Sequence, residues 1–202
     1  NIHNQINELL NKVNNTPEQN LIDTLVIRSM SKAKYSSNNI GHFGLAFKKY
    51  THFTSPIRRY PDVIVHRMLE NILLNKTVEY TNLEEDCLHC SKREEVATKA
   101  ERTSIKYMQV KYMSKQINKK FVGVISGIME RGIFVETKKS KCEGFIRIKD
   151  IPNDYFVFNE KEFLLLGRKT KEEYRLGDEV LIKVIGTNED KKQIDFSLIE
   201  KL

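Results

Sequence analysis

The fold is decided by Phe121-Val-Gly-Val-Ile125, followed by Gly132-Ile-Phe-Val135, Gly144-Phe-Ile-Arg-Ile148, Val180-Leu-Ile-Lys-Val-Ile185 and Gln193-Ile-Asp-Phe-Ser197. Each run is short and rich in β-branched or aromatic residues, which suit a pleated, half-buried surface. Glycines precede or interrupt several of them, as tight barrel bends require. Five short strands within about 80 residues predict a small closed barrel of the OB type. The connection between the third and fourth runs is long, about 30 residues, and is expected to be partly ordered. Its aromatics, Tyr155, Phe156 and Phe158, read either as a stacking patch or as packing over the barrel. Phe145 reads as a residue that fills the barrel.

Upstream of Phe121 the apolar period is that of helices. Pro61 opens one: Val65, Met68, Leu69, Ile72 and Leu73 repeat along a single face. A longer helix is predicted from about Leu83 to Gln116, a stretch without Gly or Pro and rich in Lys, Glu and Ala. On it Cys87, Cys90, Glu94, Ala97, Glu101, Ser104 and Met108 fall on one stripe, which predicts an inward face. Two glutamates there are expected to be paired or to face a channel. Near the start, Thr16-Pro17-Glu18 reads as a helix opening, with Thr16 as the cap. Helical spacing through Leu21, Leu25, Val26 and Met30 follows it.

The chain has 202 residues, 40% hydrophobic and 30% charged, with a formal net charge of +7. That length allows one large domain or two small ones. A basic balance suits a polyanion or an acidic surface. Residues 1–118 hold 17 Lys and Arg against 12 Asp and Glu, and residues 119–202 hold 17 against 15. Bulk charge alone therefore does not mark the second part as a nucleic-acid binder. No run is long and apolar enough to span a membrane, and no signal peptide opens the chain. Asn1 in place of an initiator Met points to an internal stretch of a longer protein. Three cysteines, Cys87, Cys90 and Cys142, argue against a disulfide scaffold and fit the cytoplasm. Cys87-Leu-His-Cys90 has zinc-ligand spacing but no evident second ligand pair, so inert thiols are the expected reading.

The chemistry concentrates in Gly41-His-Phe-Gly-Leu-Ala46 and Tyr50-Thr-His-Phe-Thr-Ser-Pro-Ile-Arg-Arg-Tyr-Pro-Asp62. Pro56 and Pro61 stiffen the backbone around Arg58 and Arg59, just before a helix N-terminus. Two guanidiniums beside the free N–H groups of that terminus make a phosphate site, with Thr54 and Ser55 adding hydroxyls. The competing reading is a loop paired internally with Asp62 and other local carboxylates.

The run from His42 to His66 resembles the end of the catalytic domain of the ribonuclease II/ribonuclease R family, closest to its ribonuclease R branch. Arg28-Ser-Met, Ala33-Lys-Tyr, His89-Cys-Ser and Ala100-Glu-Arg share the resemblance. Val122-Gly-Val-Ile, Gly132-Ile-Phe-Val, Glu143-Gly-Phe-Ile-Arg-Ile and Tyr174-Arg-Leu-Gly-Asp resemble the RNA-binding domain named for ribosomal protein S1. The resemblance implies an α+β chain. A mostly helical part of the catalytic domain, residues 1–118, would precede a five-stranded S1 barrel, residues 119–202. It implies processive, magnesium-dependent 3′→5′ hydrolysis of single-stranded RNA to nucleoside 5′-monophosphates.

The same resemblance gives Arg58 the reacting phosphate and Arg59 a plain phosphate contact. Glu101 would stand by the 3′-terminal nucleotide, with an ion pair to a neighbouring Arg as its alternative. Phe134 falls on a stacking position of the barrel, while Arg131 and Arg147 stand where an aromatic and a histidine are frequent. The acidic pairs along the chain are consecutive residues that point apart, so no magnesium is expected on this chain alone. The family's metal-binding aspartates lie in a preceding part of the polypeptide, which would be the missing partner. A stand-alone RNA-binding module and a protein-interaction piece with exposed helices are the competing functions.

Overall fold

The structure, a computed structural model, describes residues 2–14, 16, 19–42, 44–45, 47–78, 80–160 and 162–202; of residues 2–4, 20 and 21 it describes the backbone alone. Four helices come first: α1 (Ile2–Val13), α2 (Gln19–Ser29), α3 (Tyr60–Leu73) and α4 (Leu83–Ser114). Eight strands follow: β1 (Lys120–Met129), β2 (Gly132–Thr137), β3 (Glu143–Arg147), β4 (Phe156–Asn159), β5 (Leu164–Gly167), β6 (Glu173–Tyr174), β7 (Glu179–Asn188) and β8 (Gln193–Lys201). The α+β class is as expected. Contacts divide the chain into two units, Asn1–Gln5 with Met30–Glu101 and Ile6–Ser29 with Arg102–Leu202.

In the first unit α3 starts where Arg59 holds an extended backbone and Pro61 fills the first turn, where a missing N–H costs nothing. Before it, residues 30–59 form no helix among the described residues and carry one isolated bridge, His42 to Phe47. Gly41 is required there. Its φ is +78°, and a Cβ would lie 2.2 Å from the Phe47 carbonyl oxygen. Side chains of α4 tie the stretch down: Ser91 accepts the Tyr35 N–H at 2.9 Å and Glu84 accepts the Ser37 N–H at 2.8 Å.

In the second unit β1-β2-β3-β8-β7 close into a barrel, the five strands read from the sequence. Its interior holds Ile125, Ile133, Val135, Ile146, Ile182 and Phe196, and Val110 and Met113 of α4 belong to the same core. Gly144 lets the Phe196 ring approach to 2.5 Å of where a Cβ would stand. The long connection is more ordered than expected: β4, β5 and β6 form a separate three-stranded antiparallel sheet.

Two expectations, the α4 stripe and Phe145, need correction. The Thr16 hydroxyl donates to the Val13 carbonyl at 2.9 Å, at the end of α1, a helix the polar N-terminal sequence did not reveal, and the Thr16 carbonyl accepts the Gln19 N–H at 3.2 Å where α2 begins. Pro17 and Glu18 lie outside the described residues, as do the Leu21 side chain, Phe43 and Ala46. The α4 stripe is not an inward face throughout. Cys87 is buried and Cys90 half-buried, but Glu94, Ala97, Glu101, Ser104 and Met108 are exposed. Phe145 does not fill the barrel. Its neighbours Gly144 and Ile146 point in, and strand alternation puts Phe145 on the outer surface.

Candidate nucleic-acid interface

In the first unit the arginine loop is built on Asp62, which is fully buried. The Ser55 carbonyl accepts the N–H groups of Arg58 (3.3 Å) and Arg59 (3.0 Å), closing a tight turn over Pro56 and Ile57. Asp62 then locks that turn from the first turn of α3. Its Oδ2 accepts the Ser55 N–H at 2.7 Å and an Arg59 guanidinium N–H at 2.9 Å. Burial works to raise the Asp62 carboxyl, but the Ser55 N–H and the Arg59 guanidinium hold it below the ordinary carboxylate range. The positive end of α3 is thus answered by a carboxylate of the chain itself.

The two arginines separate as a result. Arg59, with a side chain 16% exposed, is engaged with Asp62. Arg58 is exposed, has no carboxylate partner among the described residues, and reaches only the Ser55 hydroxyl at 3.5 Å. Thr54 is exposed and Ser55 half-buried beside it. Below the loop, His66 Nε2 lies 2.7 Å from the Phe53 carbonyl, a bond in which the ring N–H donates, and its ring lies against that of Phe53. Tyr35, His52, Tyr50 and His42 form a chain of edge-to-face rings. Burial, then the Arg59 charge, lowers the pKa of His52 and so favours its neutral form. Glu101 is exposed on α4, and its side chain makes no ion pair among the described residues.

In the second unit, Phe134 of β2 and Phe145 of β3 are directly opposite in register, their ring centroids 5.0 Å apart. Gly127 faces Phe134 from β1 and leaves the platform open on that side. Arg147 leaves β3 on the same face, two residues after Phe145. The β1–β2 turn brings Arg131 beside it, fixed by the Ile148 N–H donating to the Arg131 carbonyl at 2.9 Å. Glu130, Arg131, Phe145, Arg147, Ile148 and Lys149 line one shallow open hollow. Arg131, Arg147 and Lys149 are exposed and in no ion pair among the described residues. Sequence reading missed Phe145 and Lys149 as members of this face. The inward Gly144 and Ile146 were the available signal, because alternation then turns Phe145 outward.

The structure therefore brings Arg131, Phe134 and Arg147 together on the barrel, and Thr54, Ser55, Arg58 and Arg59 together in the loop. Among the described residues no three His, Cys, Asp or Glu side chains converge as metal ligands, so these residues do not fit a divalent-ion site. The three cysteines are free thiols, and burial raises the pKa of Cys87 and Cys90. No helix among the described residues is long and apolar enough to cross a membrane.

Two family models match: the RNB domain over residues 1–75 and the S1 RNA binding domain over residues 114–199. The chain is 44% identical over 190 residues to Ribonuclease R of Aquifex aeolicus, covering 92% of this chain and 27% of that protein. It is 37% identical over 205 residues to Ribonuclease R of Escherichia coli, covering 95% and 25%. Among solved structures, Mycoplasma genitalium RNase R in complex with ribose-methylated single-stranded RNA matches with a TM-score of 0.84 and 34% identity, covering 96% of this chain and 32% of that one. The chain thus spans about a quarter to a third of the length of these relatives.

Proposed function

The chain belongs to the ribonuclease II/ribonuclease R family, and on that premise we propose that it is the RNA-gripping part of a magnesium-dependent, processive 3′→5′ exoribonuclease. That enzyme would act in the cytoplasm and hydrolyse single-stranded RNA to nucleoside 5′-monophosphates. The observation that carries the reading is the outer face of the barrel. Two aromatic rings 5.0 Å apart stand beside three unpaired cations, the combination that holds single strands by stacking and by phosphate contact. The complex of the Mycoplasma genitalium relative with single-stranded RNA supports the choice of ligand.

In this reading residues 1–118 continue the catalytic domain and residues 119–202 are the S1 domain. Arg58 contacts the reacting phosphate, where a fixed charge favours the extra negative charge of the transition state. Thr54 and Ser55 add hydroxyls to that phosphate. Arg59 acts at the phosphate mainly by positioning, since its guanidinium is already held by Asp62. Glu101 serves the 3′-terminal nucleotide, and Arg131, Phe134 and Arg147 hold the strand on the barrel. Magnesium would activate the attacking water when bound. In this reading the chain alone binds RNA without hydrolysing it. A stand-alone binding module has no need of a locked turn that presents one free arginine, which favours the enzyme reading.

The test is to incubate the 202-residue chain with a 5′-labelled single-stranded RNA and magnesium, resolving products on a gel and following binding by anisotropy. Binding without shortening is expected. Absence of binding overturns the reading. A ladder shortening from the 3′ end and lost on Arg58→Ala would overturn the statement that the chain alone is inactive.

A further inference from the structure

The small β4–β6 sheet carries an aromatic and basic patch of its own. Tyr155, just before β4, is 66% exposed although the Arg168 guanidinium lies 5.0 Å from its ring centroid. The two residues face each other across the sheet: the Arg168 N–H donates to the Tyr155 carbonyl at 3.0 Å, extending the β4–β5 ladder. Val157 and Leu166, the next outward pair in register, continue the same face as exposed or half-buried apolar surface.

The loop after β5, Arg168-Lys169-Thr170-Lys171, is held in one shape by Asp154. That carboxylate accepts the N–H groups of Lys169 (2.8 Å) and Thr170 (2.7 Å) and the Thr170 hydroxyl (2.8 Å). Gly167 makes the fit possible, since a Cβ there would come within 2.7 Å of Asp154 Oδ2. Arg168, Lys169 and Lys171 are all exposed, and none is in an ion pair among the described residues. The neighbouring acids are engaged elsewhere: Glu172 accepts the Tyr174 hydroxyl and Glu173 is paired with Arg175.

A largely open tyrosine ring beside three unpaired cations on a braced loop fits a single-stranded nucleic acid, which offers a base face and a phosphate at the spacing of one nucleotide. We propose that Tyr155, Arg168 and Lys169 form a second single-stranded RNA contact, separate from the Phe134–Phe145 face. Tyr155 stacks a base, and Arg168 and Lys169 hold the adjoining phosphates. The proposal rests on the chain being an RNA binder at its barrel face. It predicts that affinity rises with RNA length beyond what the barrel face alone can cover.

The experiment measures anisotropy of labelled oligouridylates, one short (about 5 nucleotides, within the site size of one OB fold) and one long (about 20 nucleotides). The proteins are the wild-type chain, Tyr155→Ala, the pair Arg168→Ala with Lys169→Ala, and Phe134→Ala as the control for the barrel face. Tyr155→Ala should weaken the long RNA by roughly fivefold or more and leave the short one unchanged. The double variant should also reduce the salt slope for the long RNA by about 0.7 per cation removed. Unchanged melting temperatures would assign the loss to the surface. If both patch variants bind the long RNA like wild type while Phe134→Ala is weakened, the second contact is wrong and the barrel reading stands. If wild type binds neither RNA, the barrel reading fails first. Equal losses at both lengths would mean no separate contact exists. Capture of a poly-glutamate peptide, lost in the double variant and without an RNA length effect, would assign the patch to an acidic protein and overturn the proposal.

Discussion

The arginine loop and the barrel face both present guanidiniums to solvent, on opposite kinds of support. In the loop a buried carboxylate, Asp62, fixes the backbone through Ser55 and takes Arg59 for itself, leaving Arg58 free. On the barrel no carboxylate among the described residues is paired with Arg131 or Arg147, which are exposed, and the scaffold is a hydrogen-bonded ladder that positions Phe134 and Phe145. A loop locked by an internal ion pair offers one charge at one place, as a reacting phosphate would need. A sheet face with several free cations and two rings offers tolerant contact along a strand.

The largest expected effect tests the lock. Asp62→Ala removes one partner of a buried pair and leaves Arg59 uncompensated, which typically costs about 3–5 kcal/mol. Asp62 Oδ1 and Arg59 Nε already lack partners among the described residues, so the lower end, about 3 kcal/mol, is expected in urea unfolding of the first unit. Affinity for a short RNA should be untouched, because the barrel does not depend on Asp62. Next comes Phe134→Ala, which should lower RNA affinity by about 1–3 kcal/mol in anisotropy titrations while leaving the barrel folded. Phe145→Ala should act in the same direction. Arg147→Ala should change affinity less but flatten its salt dependence by about 0.7 in the logarithmic slope, the signature of one lost phosphate contact.

Acid separates the two regions further. His52 is held towards its neutral form, so its share of stability is present above the unfolded histidine value, about 6.5, and declines as pH falls below it. Asp62 has a lowered folded pKa, so its share is present above the unfolded aspartate value, about 3.9, and is lost only as pH falls through the still lower folded one. Hydrogen exchange of the Ser55 amide should therefore show a small loss of protection below about pH 6.5 and a larger one below about pH 4. The barrel amides of Phe134 and Phe145 should show neither. The smallest effect is Arg58→Ala, whose stability should stay within about 0.5 kcal/mol of wild type.

Much of the barrel was legible because its strands are rich in β-branched and aromatic residues and carry glycines where a neighbouring ring comes close, as at Gly144 against Phe196, although β1, β7 and β8 run to nine or ten residues, longer than the runs that announce them. The arginine segment from Ile57 to Tyr60 was legible because Pro56 and Pro61 bracket it. What failed had physical causes. Phe145 reads as core by hydrophobicity, whereas alternation with Gly144 decides its side. The β4–β6 sheet is built from strands of four, four and two residues, too short for a period to show. On α4 the stripe drawn from spacing mixed one buried and one half-buried cysteine with exposed glutamates, because helical spacing identifies a face but not what covers it.

Photocrosslinking decides whether RNA is held on the outer face of the barrel. The 202-residue chain would be irradiated with a 5-bromouridine-substituted single strand and the attached peptides identified by mass spectrometry. Crosslinks are expected at Phe134 and Phe145 and should disappear in excess unlabelled RNA. Crosslinks confined to the Thr54–Asp62 loop, with both phenylalanines unmodified, would contradict that placement.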